Sequence, residues 1–131
     1  MIAPDILHLV ESIWEGAADR LRILALLETY GEKSYEREIP RVQLAIVKLS
    51  ERQIERIPDL VAAAKVDYRD VLMWAEYPEE GRALWTVSPN LPSEQRERID
   101  EIRRRDRAQY ERWVRDARAV AQRRKAEPDE R

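Results

Sequence analysis

The stretch AAAKVDYRDVLMWAEYPEE, residues 62–80, decides the fold that this sequence predicts. Across it, apolar or small side chains recur in steps of four and three, the interval at which residues return to one face of an α-helix. Counted from Ile57, the positions that share this face are Val61, Ala64, Tyr68, Val71 or Leu72, and Ala75. Pro78 stops the pattern just after Tyr77, because proline cannot continue a helix. We therefore predict one helix from Ile57 to Tyr77 with a buried apolar face.

Four aromatic residues lie in or close to this stretch: Tyr68, Trp74, Tyr77 and Trp85. Such residues can anchor a ligand or a partner. More often they fill a core in which the hydroxyl or the indole N–H reaches a hydrogen-bond partner. The chain contains no Phe, so Trp and Tyr must supply all of its aromatic packing. We therefore predict that this cluster, Trp74 included, belongs to the core.

Three earlier segments show the same helical interval, and we predict a helix in each. The first begins at Pro4, the second runs from Ala17 to Tyr30, and the third lies within EIPRVQLAIVKLS, residues 38–50. The third has the broadest apolar face, so we expect it at the centre of a bundle. The positions predicted to be buried are Ile6, Val10, Ile13 and Trp14 in the first helix, Leu21, Leu24, Leu27 and Tyr30, joined by Ile23 and Leu26, in the second, and Ile39, Val42, Ile46 and Leu49 in the third.

The last predicted helix begins at Ser93, a good N-cap residue, and continues to about Arg124. Its apolar stripe, which Asp106 interrupts, consists of Ile99, Ile102, Tyr110, Trp113, Ala117 and Val120. A helix of that length measures ~48 Å, whereas a compact chain of this size is ~36 Å across. We therefore expect the helix to dock through its stripe and to overhang, which permits dimerisation through it without requiring it.

Together these elements predict an all-α fold, a compact helical bundle of about four helices with a long C-terminal helix docked on it. The 131 residues, 44% of them hydrophobic, suit a single domain with its own core. Within that domain we assign residues 1–78 to the helical bundle, 79–92 to a connecting loop, 93–124 to the long basic amphipathic helix and 125–131 to a disordered tail.

The composition argues against several environments and chemistries. The absence of Cys excludes disulfide frameworks and thiol chemistry. The start of the chain, MIAPDILHLVESIWE, lacks the basic region of a signal peptide and carries acids within its apolar run. No apolar stretch approaches the ~18 residues that a membrane span needs. We therefore expect a cytoplasmic protein of bacterial type with no membrane contact.

Basic residues are concentrated near the C-terminus. Residues 1–92 carry 11 basic and 16 acidic side chains, whereas residues 93–125 carry 12 basic and 7 acidic ones. At 100° per residue, four arginines of the last helix fall in one narrow sector, and we call them the arginine ridge: Arg96, Arg103, Arg107 and Arg118. The ridge is a possible interaction surface, and a basic ridge is one footprint of nucleic-acid binding. Asp100 and Glu111 in the same sector, and a net charge of −2, favour contact with the acidic body or with solvent instead.

Two groupings of side chains have the composition of a metal site. The acidic candidates for Mg²⁺ are Asp67, Asp70, Glu76, Glu79 and Glu80. His8 and Glu11, three residues apart on a helix, could ligate a transition metal. No second acidic motif is evident, Lys65 and Arg69 can neutralise the aspartates, and the chain has no further His. We therefore assign no metal, cofactor or catalytic residue to the sequence.

One part of the sequence carries a resemblance. RVQLAIVKLS, residues 41–50, followed by residues 62–80, resembles a group of small bacterial all-helical proteins that share a KLS, then AAK, DYRDV and WAEYP pattern. The resemblance covers roughly residues 20–80. Since that group has no assigned activity, the resemblance implies a helical fold and no site residue.

The function that the sequence favours is that of a small non-enzymatic interaction or accessory protein. It would act through protein–protein contacts, with another protein or with a second copy of itself, because the long helix offers more charged surface than one small body can use. A first alternative is a nucleic-acid-associated accessory protein that uses the arginine ridge. A second alternative is a metal-dependent all-α nucleotide hydrolase.

Overall fold

Helices form all the regular structure in the described part of the chain, which comprises residues 2–80 and 93–126 of a computed structural model. The helices are α1 (Pro4–Ile13), α2 (Ala17–Glu28), α3 (Ile39–Leu49), α4 (Ile57–Val66), α5 (Tyr68–Glu76) and α6 (Ser93–Ala126). A 3-10 turn, Ile54–Arg56, precedes α4, and residues 78–80 are also helical. The predicted all-α fold is confirmed. Residues 81–92 of the predicted loop and 127–131 of the predicted tail lie outside the described residues.

The segment that was predicted as one helix from Ile57 to Tyr77 is two helices, joined at Asp67. The backbone of Asp67 is extended, with φ −155° and ψ 104°. Its N–H donates to the carbonyl of Ala63 and ends α4, and its carboxylate accepts the N–H of Arg69 at 3.0 Å and begins α5. Aspartate is among the strongest N-cap residues, because its carboxylate accepts a backbone N–H at the start of a helix. Here the bond from the Arg69 N–H to Asp67 favours the start of a new helix over continuation of α4.

Prolines and one glycine fix where the elements start and turn. Pro4, Pro40 and Pro58 occupy the first turns of α1, α3 and α4, where a missing backbone N–H costs nothing. Gly31 turns the chain between α2 and α3 with a φ of +116°, and a Cβ at this position would lie 3.0 Å from Cγ2 of Ile39. Only glycine takes up this backbone without strain.

Helix α3 lies at the centre of the core, as predicted. Its buried apolar residues are Val42, Ala45, Ile46 and Val47. Gln43 is buried among them, and its amide donates hydrogen bonds to the carbonyls of Leu27 at 3.0 Å and Tyr30 at 3.3 Å. These carbonyls belong to the last turn of α2 and the turn that follows it, and the Leu27 carbonyl also accepts the N–H of Tyr30 at 3.1 Å. Gln43 therefore adds a side-chain donor at the end of that helix. A polar residue of the central helix thus caps its neighbour.

The buried face of α2 departs from the prediction at Leu21, and Leu24 and Leu26 are only partly buried. Ile23, Leu27 and Tyr30 are buried, whereas Leu21 is 71% exposed. The three buried residues follow the i, i+4, i+7 spacing of one helix face, and Leu21 lies on the opposite side of that helix. The prediction that Leu21 is buried is therefore wrong.

Helix α6 docks along α1 and against α5. Ile99 is buried, and Tyr110 and Trp113 pack against the core with part of their surface exposed. Asp106, which interrupts the apolar stripe in the sequence, is only 1% exposed and binds residues 79–80, so it belongs to the docked face. Within the described ranges, no helix combines the length and the apolar character that crossing a membrane requires.

Candidate interaction surface

The arginine ridge is divided by the contacts that its members make. Arg96 is exposed to solvent. Arg103 donates two hydrogen bonds to Oε1 of Glu80, from Nε at 2.9 Å and from Nη2 at 2.6 Å. Arg107 is exposed, and its interaction with the hydroxyl of Tyr77 raises the pKa of its guanidinium. The side chain of Arg118 lies outside the described part of the structure.

The end of α5 is held by side chains from α3 and α6. Lys48 Nζ donates to the carbonyl of Ala75 at 2.9 Å, and Gln109 Nε2 donates to the same oxygen at 3.3 Å. Arg41 binds the carboxylate of Glu76 in a two-pronged contact, with Nε to Oε2 at 2.7 Å and Nη2 to Oε1 at 2.5 Å. Burial lowers the pKa of Lys48, and the bond to Glu76 raises the pKa of Arg41. These contacts satisfy the helix end and fix α5 between α3 and α6.

Two buried carboxylates complete this network on the side of α6. Glu80 receives Arg103, and Asp106 accepts the backbone N–H groups of Glu79 at 3.2 Å and Glu80 at 2.8 Å. Residues 78–80 are helical, so Asp106 places a negative charge at the start of a helical segment, where backbone N–H groups lack partners. The network therefore explains why α6 carries buried polar residues in its docked face.

Two open grooves, each of about 830 Å³, flank α6. The tryptophan groove lies between α6 and the ends of α1, α3 and α5, and its lining includes Ile13, Lys48, Arg52, Trp74, Trp113 and Asp116. The apolar groove lies between α6, α1 and the start of α3, and its lining includes Ile6, Leu9, Leu44, Tyr110, Val114 and Ala117. Both have the volume of pockets that take a ligand or the side chains of a partner.

Trp74 lies at the tryptophan groove and is 47% exposed, so the prediction that it belongs to the core is wrong. Helix α5 begins at Tyr68, and its buried face contains Val71, Leu72 and Ala75. Trp74 lies outside this buried face. Met73 beside it is also exposed. The sequence did indicate this exposure, because Trp74 is not among the positions that share the predicted buried face of this segment.

A strained turn forms another part of the tryptophan groove. Glu51 and Arg52, directly after α3, both have left-handed backbones, with φ of 50° and 65°. For residues with a Cβ this conformation costs about 1–2 kcal/mol each. The turn is held by the N–H of Gln53, which donates to the carbonyl of Ser50 at 2.9 Å.

The groupings that were considered for metal binding do not converge on one point. Asp67 is bound by Arg69, with Nε to Oδ1 at 3.0 Å and Nη2 to Oδ2 at 3.1 Å, and this bond lowers the pKa of the aspartate. Asp70 is exposed to solvent. His8 Nδ1 lies 3.7 Å from Oε2 of Glu11. Among residues 2–80 and 93–126, no group of three or more His, Asp or Glu side chains has the arrangement of a metal site.

No protein-family model, curated protein or solved structure matches this chain. A function is therefore inferred from the geometry of the described residues.

Proposed function

We propose that this protein is a non-enzymatic interaction module that binds another protein through the tryptophan groove. The observation that carries the proposal is the half-exposed Trp74 on the wall of that groove. Trp is the residue type most enriched among those that dominate binding energy at protein interfaces. A large aromatic side chain that the fold leaves in water, beside a concave surface, offers apolar area that a partner can bury.

The composition of the groove also fits a protein partner. Trp113 lies in the groove and gives it a second aromatic surface, while Lys48, Arg52 and Asp116 provide charges of both signs. Protein interfaces commonly combine an apolar centre with a polar rim of this kind. The groove therefore suits a partner segment with one or two apolar anchors and polar flanks.

The alternative of nucleic-acid binding has less support from the contacts of the arginine ridge. Arg103 is engaged with Glu80 and Arg107 with Tyr77. An arginine that already binds a buried carboxylate must break that contact before it can bind a phosphate, which lowers the gain from the new contact. A protein contact at Trp74 requires no such exchange.

The test compares two variants that each remove one exposed apolar side chain. Trp74→Ala changes the tryptophan groove, and Leu21→Ala changes an exposed leucine of α2 as the matched control. Tagged wild type and both variants are recovered from cells, co-purifying proteins are quantified by mass spectrometry, and direct binding of each identified partner is measured by calorimetry. We expect a partner whose affinity falls at least about tenfold with Trp74→Ala and is unchanged with Leu21→Ala.

Two results would contradict the proposal. One is a partner that binds Trp74→Ala and the wild type equally well. The other is salt-dependent binding to short DNA or RNA that is lost with Arg103→Ala and Arg107→Ala but retained with Trp74→Ala, which would establish the nucleic-acid alternative.

A further inference from the structure

A small cleft away from both grooves surrounds a buried carboxylate. It has a volume of about 290 Å³ and lies where the connection between α2 and α3 meets the junction of α4 and α5. Three tyrosines, two carboxylates and two cations give it its chemistry: Tyr30, Tyr35, Tyr68, Glu36, Asp67, Lys65 and Arg69. The cleft has no residue in common with the tryptophan groove, so a role for the cleft is independent of the function proposed for that groove.

Glu36 is the buried acid of this cleft, and its side chain is only 2% exposed. Its Oε1 accepts the backbone N–H groups of Gly31 at 3.0 Å and Lys33 at 2.9 Å. Burial alone would raise the pKa of Glu36, but these two bonds and the charge of Lys65 outweigh it and lower the pKa. The cleft therefore contains a negative charge at neutral pH that is fixed in position by the turn after α2.

The second oxygen of Glu36 is held less tightly. Lys65 Nζ lies 3.5 Å from Oε2, whereas charge-assisted hydrogen bonds of this type measure about 2.7–2.9 Å. The lysine is also partly exposed. An ammonium on a flexible stem can leave such a long contact for water, because it is strongly hydrated and its stem bends freely.

The rim of the cleft is open to water and combines apolar side chains with the exposed Arg69. Tyr35 is 70% exposed and Val66 is 89% exposed, and both line the cleft. The buried carboxylate together with the apolar surface of Tyr35 and Val66 is complementary to a side chain with a cationic head and an aliphatic stem, which places its charge at depth and its methylene groups against these two residues. The volume lies just below that of pockets for drug-sized ligands, so it suits one side chain.

The other charges of the cleft are already matched. Asp67 is bound by both nitrogens of the Arg69 fork at 3.0 and 3.1 Å. The ion pair between Lys65 and Glu36, at 3.5 Å, is thus longer than the pair between Arg69 and Asp67. An incoming cation can therefore replace Lys65 at Glu36 more easily than it can replace Arg69 at Asp67.

We propose that this cleft binds one lysine or arginine side chain of a partner peptide. The cationic head replaces Lys65 at Oε2 of Glu36, and the aliphatic stem lies against Tyr35 and Val66. Lys65 in the free protein occupies the position that the partner's cation takes in the complex.

The test is a titration of isotope-labelled protein with N-acetyl-lysine-N-methylamide, followed by NMR. The amide signals of Gly31 and Lys33 report directly on Glu36, because both N–H groups bind its Oε1. The norleucine analogue, which has the stem without the charge, is the control ligand. We expect saturable shifts of both amides with the lysine derivative and none with the norleucine derivative.

Variants extend the test. Lys65→Met removes the internal competitor, so we expect about tenfold tighter binding of the lysine derivative. Glu36→Gln removes the floor charge and abolishes the shifts. Arg22→Met, which removes an exposed cation of α2 that does not line the cleft, is the matched control and leaves the affinity unchanged.

Three outcomes would overturn the proposal. The first is equal shifts with the norleucine derivative, and the second is the absence of saturable shifts in both wild type and Lys65→Met. The third is an affinity in Lys65→Met no higher than in wild type. If Glu36→Gln fails to fold, the comparison of Lys65→Met with the wild type still tests the proposal, because that variant is expected to bind the lysine derivative more tightly. The dispersion of the NMR signals shows which variants are folded.

Discussion

The carboxylate of Asp106 accepts the backbone N–H of Glu80 at 2.8 Å and thereby ties α6 to the chain that leaves α5. A second bond, from the N–H of Glu79 at 3.2 Å, uses the other carboxylate oxygen. With Arg103 on Glu80, these contacts form a link of four residues between α6 and residues 79–80. Such a link fixes one register of α6, because sliding the helix would leave buried polar groups without partners.

We expect Asp106→Ala to lower the free energy of unfolding by about 2–3 kcal/mol, since the buried N–H of Glu80 and the partly buried N–H of Glu79 lose their acceptor. Urea denaturation measures the loss. Asp116→Ala, at an exposed position of the same helix, should change stability by less than about 0.5 kcal/mol. Equal effects of the two substitutions would mean that the Asp106 contacts do not anchor α6.

Truncating two tryptophans should have unequal effects. Trp14 is buried in the core, so Trp14→Ala is expected to cost about 3–5 kcal/mol. Trp74 is half exposed, and Trp74→Ala should cost about 1 kcal/mol. Denaturation in guanidinium chloride compares the two. A loss with Trp74→Ala as large as that with Trp14→Ala would return Trp74 to the core and remove the basis of the proposed interface.

Replacing Arg52 by Gly should stabilise the protein by about 0.5–1 kcal/mol, because glycine adopts the left-handed backbone at φ 65° without the clash of a Cβ. The melting temperature gives the measurement. Gln53→Gly is the control at the next position, where φ is −104° and glycine should instead destabilise by a similar amount. A gain at both positions, or at neither, would exclude strain relief as the cause.

Stability should depend on pH through Glu36. Its pKa is lower in the folded protein than its ordinary value of 4.5, so the unfolded chain takes up a proton first as the pH falls. The stabilisation is complete above pH 4.5 and is lost as the pH falls through the folded pKa below it. Urea denaturation across this window should show a shallower slope for Glu36→Gln. Glu32→Gln, on an exposed side chain of the same turn, leaves Glu36 in place and should keep the wild-type slope.

Periodicity was enough to predict the helices and most of the core. The face of Val61, Ala64, Val71 and Ala75 is buried as the spacing indicated, although the helix is broken at Asp67. The break escaped prediction because α4 and α5 pack against the same neighbour, α3, so the apolar interval continues across it. An aspartate within a helical pattern can either cap a new helix or lie inside a continuous one. The outcome depends on whether its carboxylate accepts a nearby backbone N–H, which the spacing of apolar residues does not reveal.

The polar positions of the site were harder to predict. The shared sector of the arginine ridge follows from helix geometry, but the partners of Arg103 and Arg107 come from a distant part of the chain. Likewise, nothing in the sequence distinguishes Glu36 from the other acidic residues. Its burial results from the turn that Gly31 forms after α2. Long-range partners of polar side chains follow from tertiary packing rather than from local pattern.

The pairing of α1 with α6 has a consequence for synthesis of the chain on the ribosome. Tyr110 and Ala117 of α6 line a groove with Ile6 and Leu9 of α1, so the packing of α1 is completed by a helix about 100 residues further along the chain. Although α2 and α3 also contact α1, the apolar surface of α1 that faces α6 stays uncovered until residues 110–117 have left the exit tunnel, and chaperones bind such exposed surface in a nascent chain. The wide sequence separation of this contact also slows closure relative to bundles built from adjacent helices.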